Sequence, residues 1–551
     1  VAAERRLNSL FFRITSHVIK PIPGLFLILI LLISISGTQD LFAQDADENK
    51  TFIMSMRSGE IELNPLFTYT SLEAQIYTAL YEGLVAYDPF SLRPIDGVAR
   101  SWEILDDGTR YRFSLNQDAR YWNGDRVTAD HFRDSWLKML SLGEQSPFGF
   151  LLDPVTGARD FRLGRNPDPE SVGIIAVSDD VLEITLDNPT SHFLSILAHQ
   201  SLVAIHPDNL HTEDWSGLDS PLGSGPYQIT ERNEDRILME RNEYYWDRDH
   251  SEYDRILIQF NDDNSDATAR FNSGEIQWLY SGFNYSEIQI PNSLQITPQF
   301  ATSYYFFSAE KPPFDDERIR RALMLLLPLN EIRSEEIYFV PSANLIPQIP
   351  GYPDVNGIED RDVKAALDLL KDAGYEGGLG LPEIQIVLTD DRESMRIAAL
   401  MEEAWTESLD VRVTSTFLGY REHQEAMRQG EFVIGSLAWV ADYADPMSFL
   451  QLWTSDSTIN DSGYRDDEFD TLVEESNGLS GTERFEQLGR AEEYLLQSAV
   501  VMPVSHSPSF NIIDLEVVGG WYPNPLDIHP FKYFYEISRK PPANVASAGD
   551  L

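Results

Sequence analysis

The sequence predicts a mixed α/β protein built from two or three domains. At 551 residues the chain exceeds what one ordinary hydrophobic core supports. Its 42% hydrophobic and 11% aromatic content is that of a globular chain, not a disordered one. From about residue 384 onward, strand-like and helix-like segments alternate, the pattern of βαβ units around a partly parallel sheet.

Taken in order, Phe52 to Met56 read as a strand. After the Asn64-Pro65 turn, Ser71 to Tyr81 follows as an amphipathic helix, with Ser71 and Glu73 at a capped start and Leu72, Ile76, Ala79 and Leu80 on its apolar positions. Glu82-Gly83-Leu84 ends it, and Val85 to Tyr87 starts a new strand. Arg110 to Leu115 and Val181 to Leu186 alternate as strands, and Ala129 to Leu140 is helical between them. Ser224-Gly225-Pro226-Tyr227 turns into a hairpin of Gln228–Thr230 and Ile237–Glu240. Ile256 to Phe260 is a strand, and Asp266 to Ser273 a short helix closed by Gly274. Tyr304 to Phe307 is an apolar, aromatic segment broken by Lys311-Pro312-Pro313. The helix Glu317–Leu327 and a loop rich in Pro and Gly (341–357) follow. Next come the helix Arg361–Ala373, the strand Ile384–Leu388, the helix Glu393–Ser408 and the strand Val411–Phe417. The helix Arg484–Gln497 and the strand Val500–Val504 complete the pattern, and the chain ends in a loose tail.

The first 43 residues read as an export signal. Arg5, Arg6, Arg13 and Lys20 give a basic start, Leu25 to Ile33 an unbroken apolar run, and Ala43 before Gln44 a cleavage point. That run is shorter than the roughly 20 residues a membrane span needs. The sequence has no cysteine, which excludes disulfides, thiolate metal sites, cysteine nucleophiles and a lipid-anchoring cysteine. The expectation is a free periplasmic protein. With a net charge of −47 and no basic patch, nucleic acid is excluded as a partner and anionic membranes repel the surface. Such acidity suits high salt, where screening suppresses self-repulsion. Stability rising steeply between low and molar salt would mark a halophilic chain.

Catalysis finds no support. GxxxxGK[ST], HExxH and GxSxG patterns are absent. The ten histidines are scattered; the nearest grouping, His192, His199, His206 and His211, lacks metal-ligand spacing and reads as core or surface histidines. No two carboxylates are singled out for acid–base work. No cofactor and no metal are called for. Aromatic residues, in contrast, gather among Pro, Gly and Asn turns: Tyr121-Trp122, Trp136, Tyr244-Tyr245-Trp246, Tyr304-Tyr305, Trp439, Tyr443 and Trp521-Tyr522. Most belong to the core, and a minority is available to line a pocket that accepts varied side chains.

The stretch from Glu431 to Leu450 carries the most specific local signal. It begins as a buried strand, Phe432 to Ile434, and continues through Gly435, Ser436 and the small apolar set Leu437 to Ala441 before Asp442 interrupts it. Asp445-Pro446 then turns the chain. A carboxylate at the end of such a strand is partly desolvated, and must pair with a cation or shift its pKa. Two readings stand at this point. Asp442 caps the helix that starts near Pro446 or pairs with a nearby Lys or Arg, or it serves a ligand.

Across nearly the whole chain after the export signal, the sequence resembles the oligopeptide/dipeptide-binding family of large periplasmic solute-binding proteins of ABC importers (extracellular family 5). The likeness runs through Asn64-Pro65, Tyr81-Glu82-Gly83-Leu84, Gly97-Val98-Ala99-Arg100-Ser101-Trp102 and Trp122-Asn123-Gly124-Asp125 with Val127-Thr128-Ala129-Asp130. It continues through Gly225-Pro226-Tyr227, Tyr245-Trp246, Asn272-Ser273-Gly274-Glu275-Ile276 and Lys311-Pro312-Pro313-Phe314-Asp315 with Arg318-Ile319-Arg320-Arg321-Ala322-Leu323. Each motif is weak alone; their order and spacing are specific.

The resemblance implies a bilobal α/β fold with an additional α+β domain. It places lobe I at 45–81, 200–300 and 514–541, the extra domain at 82–199, lobe II at 301–513 and a flexible tail at 542–551, with two chain crossings as the hinge. It further implies capture of a peptide ligand by lobe closure and delivery to an inner-membrane ABC permease, by a monomer that performs no chemistry. Ala438, Trp439, Val440, Asp442 and Tyr443 resemble the family's stretch whose backbone pairs with an extended peptide and whose aspartate holds the α-amino group. The physics agrees: strand addition gives sequence-independent hydrogen bonds, and a buried carboxylate pairs with an ammonium. By the same likeness Ser71 offers backbone from the first lobe. Phe148 stands where some members hold the amine with a Tyr, Tyr420 replaces a pocket-lining Trp, and Arg428 matches a basic residue near the peptide's far end. Ser436 replaces a second basic residue, and Ala301 and Val440 stand where some relatives have a cysteine pair. The alternatives within the fold are another amine-bearing or small solute (an opine, a cell-wall peptide, a nickel complex or an oligosaccharide); a periplasmic hydrolase is the remote one. A neutral sugar fits poorly, because it leaves the Asp442 carboxylate unpaired.

Overall fold

The computed structural model describes residues 50–537 apart from 60, 213, 214, 216, 217, 219, 334–337, 359 and 360. The expected export signal and the 542–551 tail lie outside them. One long sheet runs through the described chain. Ten of its eleven strands lie in the order Val413–Leu418, Ile384–Thr389, Ile434–Val440, Leu294–Phe307, Val501–Ile513, Trp278–Leu279, Thr51–Met56, Arg255–Phe260, Arg236–Arg241 and Tyr227–Arg232, and the short Val340–Pro341 pairs with Val501–Ile513 outside this row.

The first half of this sheet forms around Thr51–Met56, which pairs in parallel with Arg255–Phe260 and with Trp278–Leu279. Phe52, Met54, Ile256 and Ile258 point into one core with Ile76, Tyr77 and Leu80 of the helix Ser71–Leu80 and with Trp278, Phe531 and Phe534. Each such side chain contributes on the order of 1.5–3 kcal/mol by leaving water. The N-cap of the helix is Thr70, one residue before the expected Ser71. Its hydroxyl accepts the Glu73 amide at 3.2 Å while the Glu73 carboxylate accepts the Thr70 amide at 3.0 Å. Ser71 enters the first turn instead.

In the second half, Ile384–Thr389 and Val413–Leu418 are parallel and joined by the helix Arg392–Ser408, the βαβ unit that the alternation predicts. Ile397, Met401 and Trp405 of that helix are buried against the sheet, and the Trp405 indole donates to the Leu323 carbonyl at 2.8 Å.

Two strands tie the halves together. Leu294–Phe307 and Val501–Ile513 run antiparallel from Leu294↔Ile512 to Phe306↔Val501. One end of the pair bonds to Trp278–Leu279, the other to Ile434–Val440. Between them, at Thr297↔Ser509 and Pro298↔Pro508, each strand has only the other among the described residues, and the register shifts just beyond Pro298. Neither proline has an N–H to give the ladder. The expected Tyr304–Phe307 and Val500–Val504 segments are therefore the far ends of strands of 14 and 13 residues. Pro298, Pro503 and Pro508 hide the remainder from a reading of strand pattern.

A separate antiparallel sheet, Ala99–Leu105, Arg110–Leu115, Val181–Thr185 and Ile174–Ser178, packs with the helix Ala129–Ser141. Phe113, Phe132, Trp136, Leu182 and Ile184 are fully buried there. The architecture is thus a bilobal α/β fold with an α+β unit added. Two further helices, Tyr420–Arg428 and Asp467–Glu475, have no counterpart in the sequence-based expectation.

Candidate ligand-binding site

The site begins with the open edge of a strand. Ile434–Val440 pairs antiparallel with Leu294–Phe307, and the Ala441 amide donates to the Phe300 carbonyl at 2.9 Å. In such a ladder alternate residues turn both backbone groups to the partner. Gly435, Leu437 and Trp439 therefore face Leu294–Phe307, and Ser436, Ala438 and Val440 present N–H and C=O on the other side. There Ile384–Thr389 reaches the strand in register at Ile386↔Ile434 and no further.

This edge opens into a cavity of about 570 Å³. Ser436 to Asp442 form one wall, Tyr69 to Leu72 at the start of the first-half helix face it, and Phe148 comes from the α+β unit. Two side-chain contacts join that unit to the second half. The Thr458 hydroxyl donates to the Pro147 carbonyl at 2.7 Å, and Arg484 donates to His192 Nδ1 at 2.9 Å. Trp439 is fixed by its indole N–H, which donates to the Ser448 carbonyl at 3.1 Å, and its ring meets Tyr69 edge-on at 6.5 Å. Tyr69 in turn stacks on Phe148 at 6.2 Å.

Asp442 lies at the end of the open edge with its side chain only 6% exposed. Its amide donates to Ser448 Oγ at 2.7 Å, and Oδ2 receives long bonds of 3.4 Å from Ser448 and Gln451. Among the described residues no Lys or Arg pairs with it. Burial pushes its pKa up to about 8. The Nε2 of His199, 3.7 Å from Oδ1, is the nearest basic atom. His199 Nδ1 accepts the Ser201 amide at 3.3 Å, which puts the ring proton on Nε2 and aims it at Asp442. Burial lowers the pKa of His199 to about 3, so it is a neutral donor.

The capping and ion-pair roles open to Asp442 are filled by Asp445. Its carboxylate grips the buried Arg484 at 2.7 and 2.8 Å and accepts the Met447 amide at 2.9 Å, opening the short helix Met447–Leu450. Burial pushes its pKa up, but His192 and the Arg484 guanidinium hold it below the ordinary range.

Of the residues expected at the site, Ser71, Phe148, Tyr420, Ala438, Trp439, Val440 and Asp442 line the cavity. Tyr443 and Arg428 do not. Tyr443 is fully buried, donates its hydroxyl to Gln451 Oε1 at 2.7 Å and stacks on His192 at 5.6 Å. Arg428 stands behind Tyr69, its guanidinium 5.9 Å from that ring's centre. Ala301 and Val440 face each other across the ladder. Sequence reasoning missed Tyr69, His199, Asp391, Glu393 and His423; only the aromatic Tyr69 beside the helix cap carries any local signal. No three His, Asp or Glu side chains converge as metal donors among the described residues.

Residues 93–461 match the family model of the bacterial extracellular solute-binding proteins, family 5 (middle region). The chain belongs to this family. Within it, the chain is 28% identical over 531 residues to the probable deoxycholate-binding periplasmic protein YgiS of Escherichia coli K12, covering 92% of this chain and 98% of that one. It is 26% identical over 494 residues to the oligopeptide-binding protein OppA of Bacillus subtilis, covering 85% and 90%. The structure of the E. coli murein tripeptide binding protein MppA superimposes with a TM-score of 0.79 at 24% identity over 89% of this chain and 99% of that one, a likeness of fold. This family 5 protein thus presents a sequence-independent row of backbone donors and acceptors that ends at a carboxylate without a cation.

Proposed function

We propose that the protein captures peptides outside the cytoplasm, in the periplasm, and delivers them to an inner-membrane ABC permease. The observation that carries this reading is Asp442, enclosed, lacking a cation and placed at the end of an open strand edge. A peptide meets both needs: its backbone continues the sheet, and its α-ammonium pairs with the carboxylate. The protein binds and releases without chemistry, as a monomer. Lobe I comprises about 45–81, 200–300 and 514–541, the extra domain 82–199 and lobe II 301–513. The paired crossing strands act as the hinge at Pro298 and Pro508.

The relative named for deoxycholate supplies a second reading, an anionic amphiphile held on the aromatic wall. Such a ligand would bring its carboxylate toward Asp391, Glu393 and Asp442, the charged residues of the lining. Peptide is the reading the charges favour.

Calorimetry of the protein, refolded to strip bound ligand, tests the choice with a short peptide, its N-acetylated form and deoxycholate, on wild type and Asp442→Asn. Peptide capture requires that acetylation and Asp442→Asn each weaken binding at least about 30-fold, the usual effect of removing one partner of a buried charged pair. Tight deoxycholate binding with neither peptide form bound would overturn it.

A further inference from the structure

We propose that the end of the cavity formed by Asp391, Glu393 and His423 is a subsite for a cationic group, so that the protein selects peptides bearing a Lys or Arg side chain in addition to the α-ammonium. This deepens the peptide reading and rests on it. Three observations support it.

The first is charge. The cavity lining contains Asp391, Glu393 and Asp442 and, among the described residues, no Lys or Arg. A ligand carboxylate therefore has no cationic side chain in the wall to hold it. The second is the state of the two far carboxylates. Asp391 accepts the Ser394 amide at 2.8 Å and the hydroxyls of Thr389 and Ser394 at 2.5 and 2.7 Å. Burial pushes its pKa up, but these bonds hold it below the usual range, which keeps it anionic. Glu393 pairs with Arg396, whose guanidinium also donates to the carbonyls of Glu331 and Ile332 at 2.9 and 3.1 Å, behind the wall. With Glu393 paired to Arg396, Asp391 is left with no Lys or Arg paired to it among the described residues.

The third observation is an orphaned imidazole. His423 lines the same end at 1% exposure, and neither ring nitrogen has a partner in hydrogen-bond geometry. Burial lowers its pKa, and the nearby Val387 carbonyl and Asp391 do not offset this, so the ring is neutral. A neutral imidazole has one nitrogen acceptor to offer, and a buried acceptor left bare is costly. An ammonium or guanidinium there would give the bare imidazole nitrogen a donor and lie beside the Asp391 carboxylate.

The geometry sets the ligand. The strand that ends at Thr389 meets the open edge only at Ile386↔Ile434, so the subsite lies toward the Ile434 end of that edge and Asp442 at the other. From Leu437, which lines the cavity, to Asp442 is five positions, at about 3.3 Å per residue roughly 16 Å, the span of about five extended residues. A long basic side chain reaches the subsite from the middle or end of a pentapeptide whose amine is on Asp442.

The test uses pentaalanine and variants carrying Lys or norleucine at each of positions 2 to 5, with free or amidated carboxyl termini, titrated at about 0.15 M salt. Wild type is compared with Asp391→Asn, which keeps the helix cap, and with Asp391→Asn/Glu393→Gln. Lys in at least one position should bind ten-fold or more tighter than norleucine. Amidation should not weaken binding, and the double variant should reduce the Lys gain below about three-fold, each gain taken as the Lys-to-norleucine ratio within one variant. Equal binding of Lys and norleucine peptides, a need for the free carboxylate, or an undiminished gain in the double variant would each overturn the subsite while amine-dependent pentaalanine binding leaves the peptide reading standing. Failure of every peptide to bind would remove both.

Discussion

Asp442 and Asp445 leave the same strand three residues apart, and both are largely withdrawn from water, with side chains 6% and 12% exposed. Asp445 has a guanidinium on both oxygens and a helix amide besides. Asp442 has two long bonds and a neutral imidazole. On the proposed reading, the difference separates a carboxylate that completes the fold from one that awaits a charge from outside. Burial alone does not mark a binding residue; burial without a counter-charge does.

The largest expected effect comes from breaking the complete pair. Asp445→Asn strands the Arg484 guanidinium in the interior and should lower unfolding free energy by about 3–5 kcal/mol in urea titration. Asp445→Leu combined with Arg484→Met should recover most of it. At the incomplete site the sign of the stability effect reverses. Asp442→Asn should leave the ligand-free protein as stable or more stable, because a desolvated carboxylate is gone, while peptide affinity falls by at least about 2 kcal/mol. A loss of ligand-free stability like that of Asp445→Asn would erase the contrast.

Acidity divides the two next. The pKa of Asp445 is lowered, so its contribution is present above the ordinary carboxylate value of 3.8 and is lost as pH falls through its lower folded value. The pKa of Asp442 is raised to about 8 from an ordinary 3.8. Between these values the folded chain holds a proton that the unfolded chain lacks, so ligand-free stability falls as pH rises, by up to about 1.4 kcal/mol per unit. Peptide binding needs the carboxylate ionised, so it should release up to one proton and weaken up to about ten-fold per unit below pH 8. Calorimetry in buffers of different ionisation enthalpy measures this, and Asp442→Asn should abolish it. Smallest is His199→Phe, which removes the N–H aimed at Asp442. The 3.7 Å separation is too long for a hydrogen bond, so peptide binding at neutral pH should weaken by less than the about 1 kcal/mol of one buried hydrogen bond.

The sequence made the βαβ unit from Ile384 legible because its alternation is regular, and it made Asp442 conspicuous because a charge there interrupts an apolar run. It did not separate Asp442 from Asp445, since Arg484 lies 39 positions on and only folding joins it to one of them. The direction of Tyr443, buried away from the cavity, was equally hidden. Beyond Val440 the strand ends, the period of two lapses, and the loop path decides the direction. Arg428 closes the helix Tyr420–Arg428, whose buried stripe of His423, Ala426 and Met427 begins with a polar residue type and so escapes a hydrophobic pattern. The crossing strands were shortened by their prolines, which were evidence of position, not of an ending.

Those prolines also govern the mechanics. Where Pro298 meets Pro508 the sheet narrows to a strip two strands wide. Such a strip resists stretching and sliding, because either motion breaks its ladder, but it twists and bends with little change in bonding. On the proposed reading, two lobes joined by it turn and swing against each other without sliding, and the opposite rims carry most of the travel. On that reading a ligand enters between the rims, and a partner holding both of them would gain leverage over the opening.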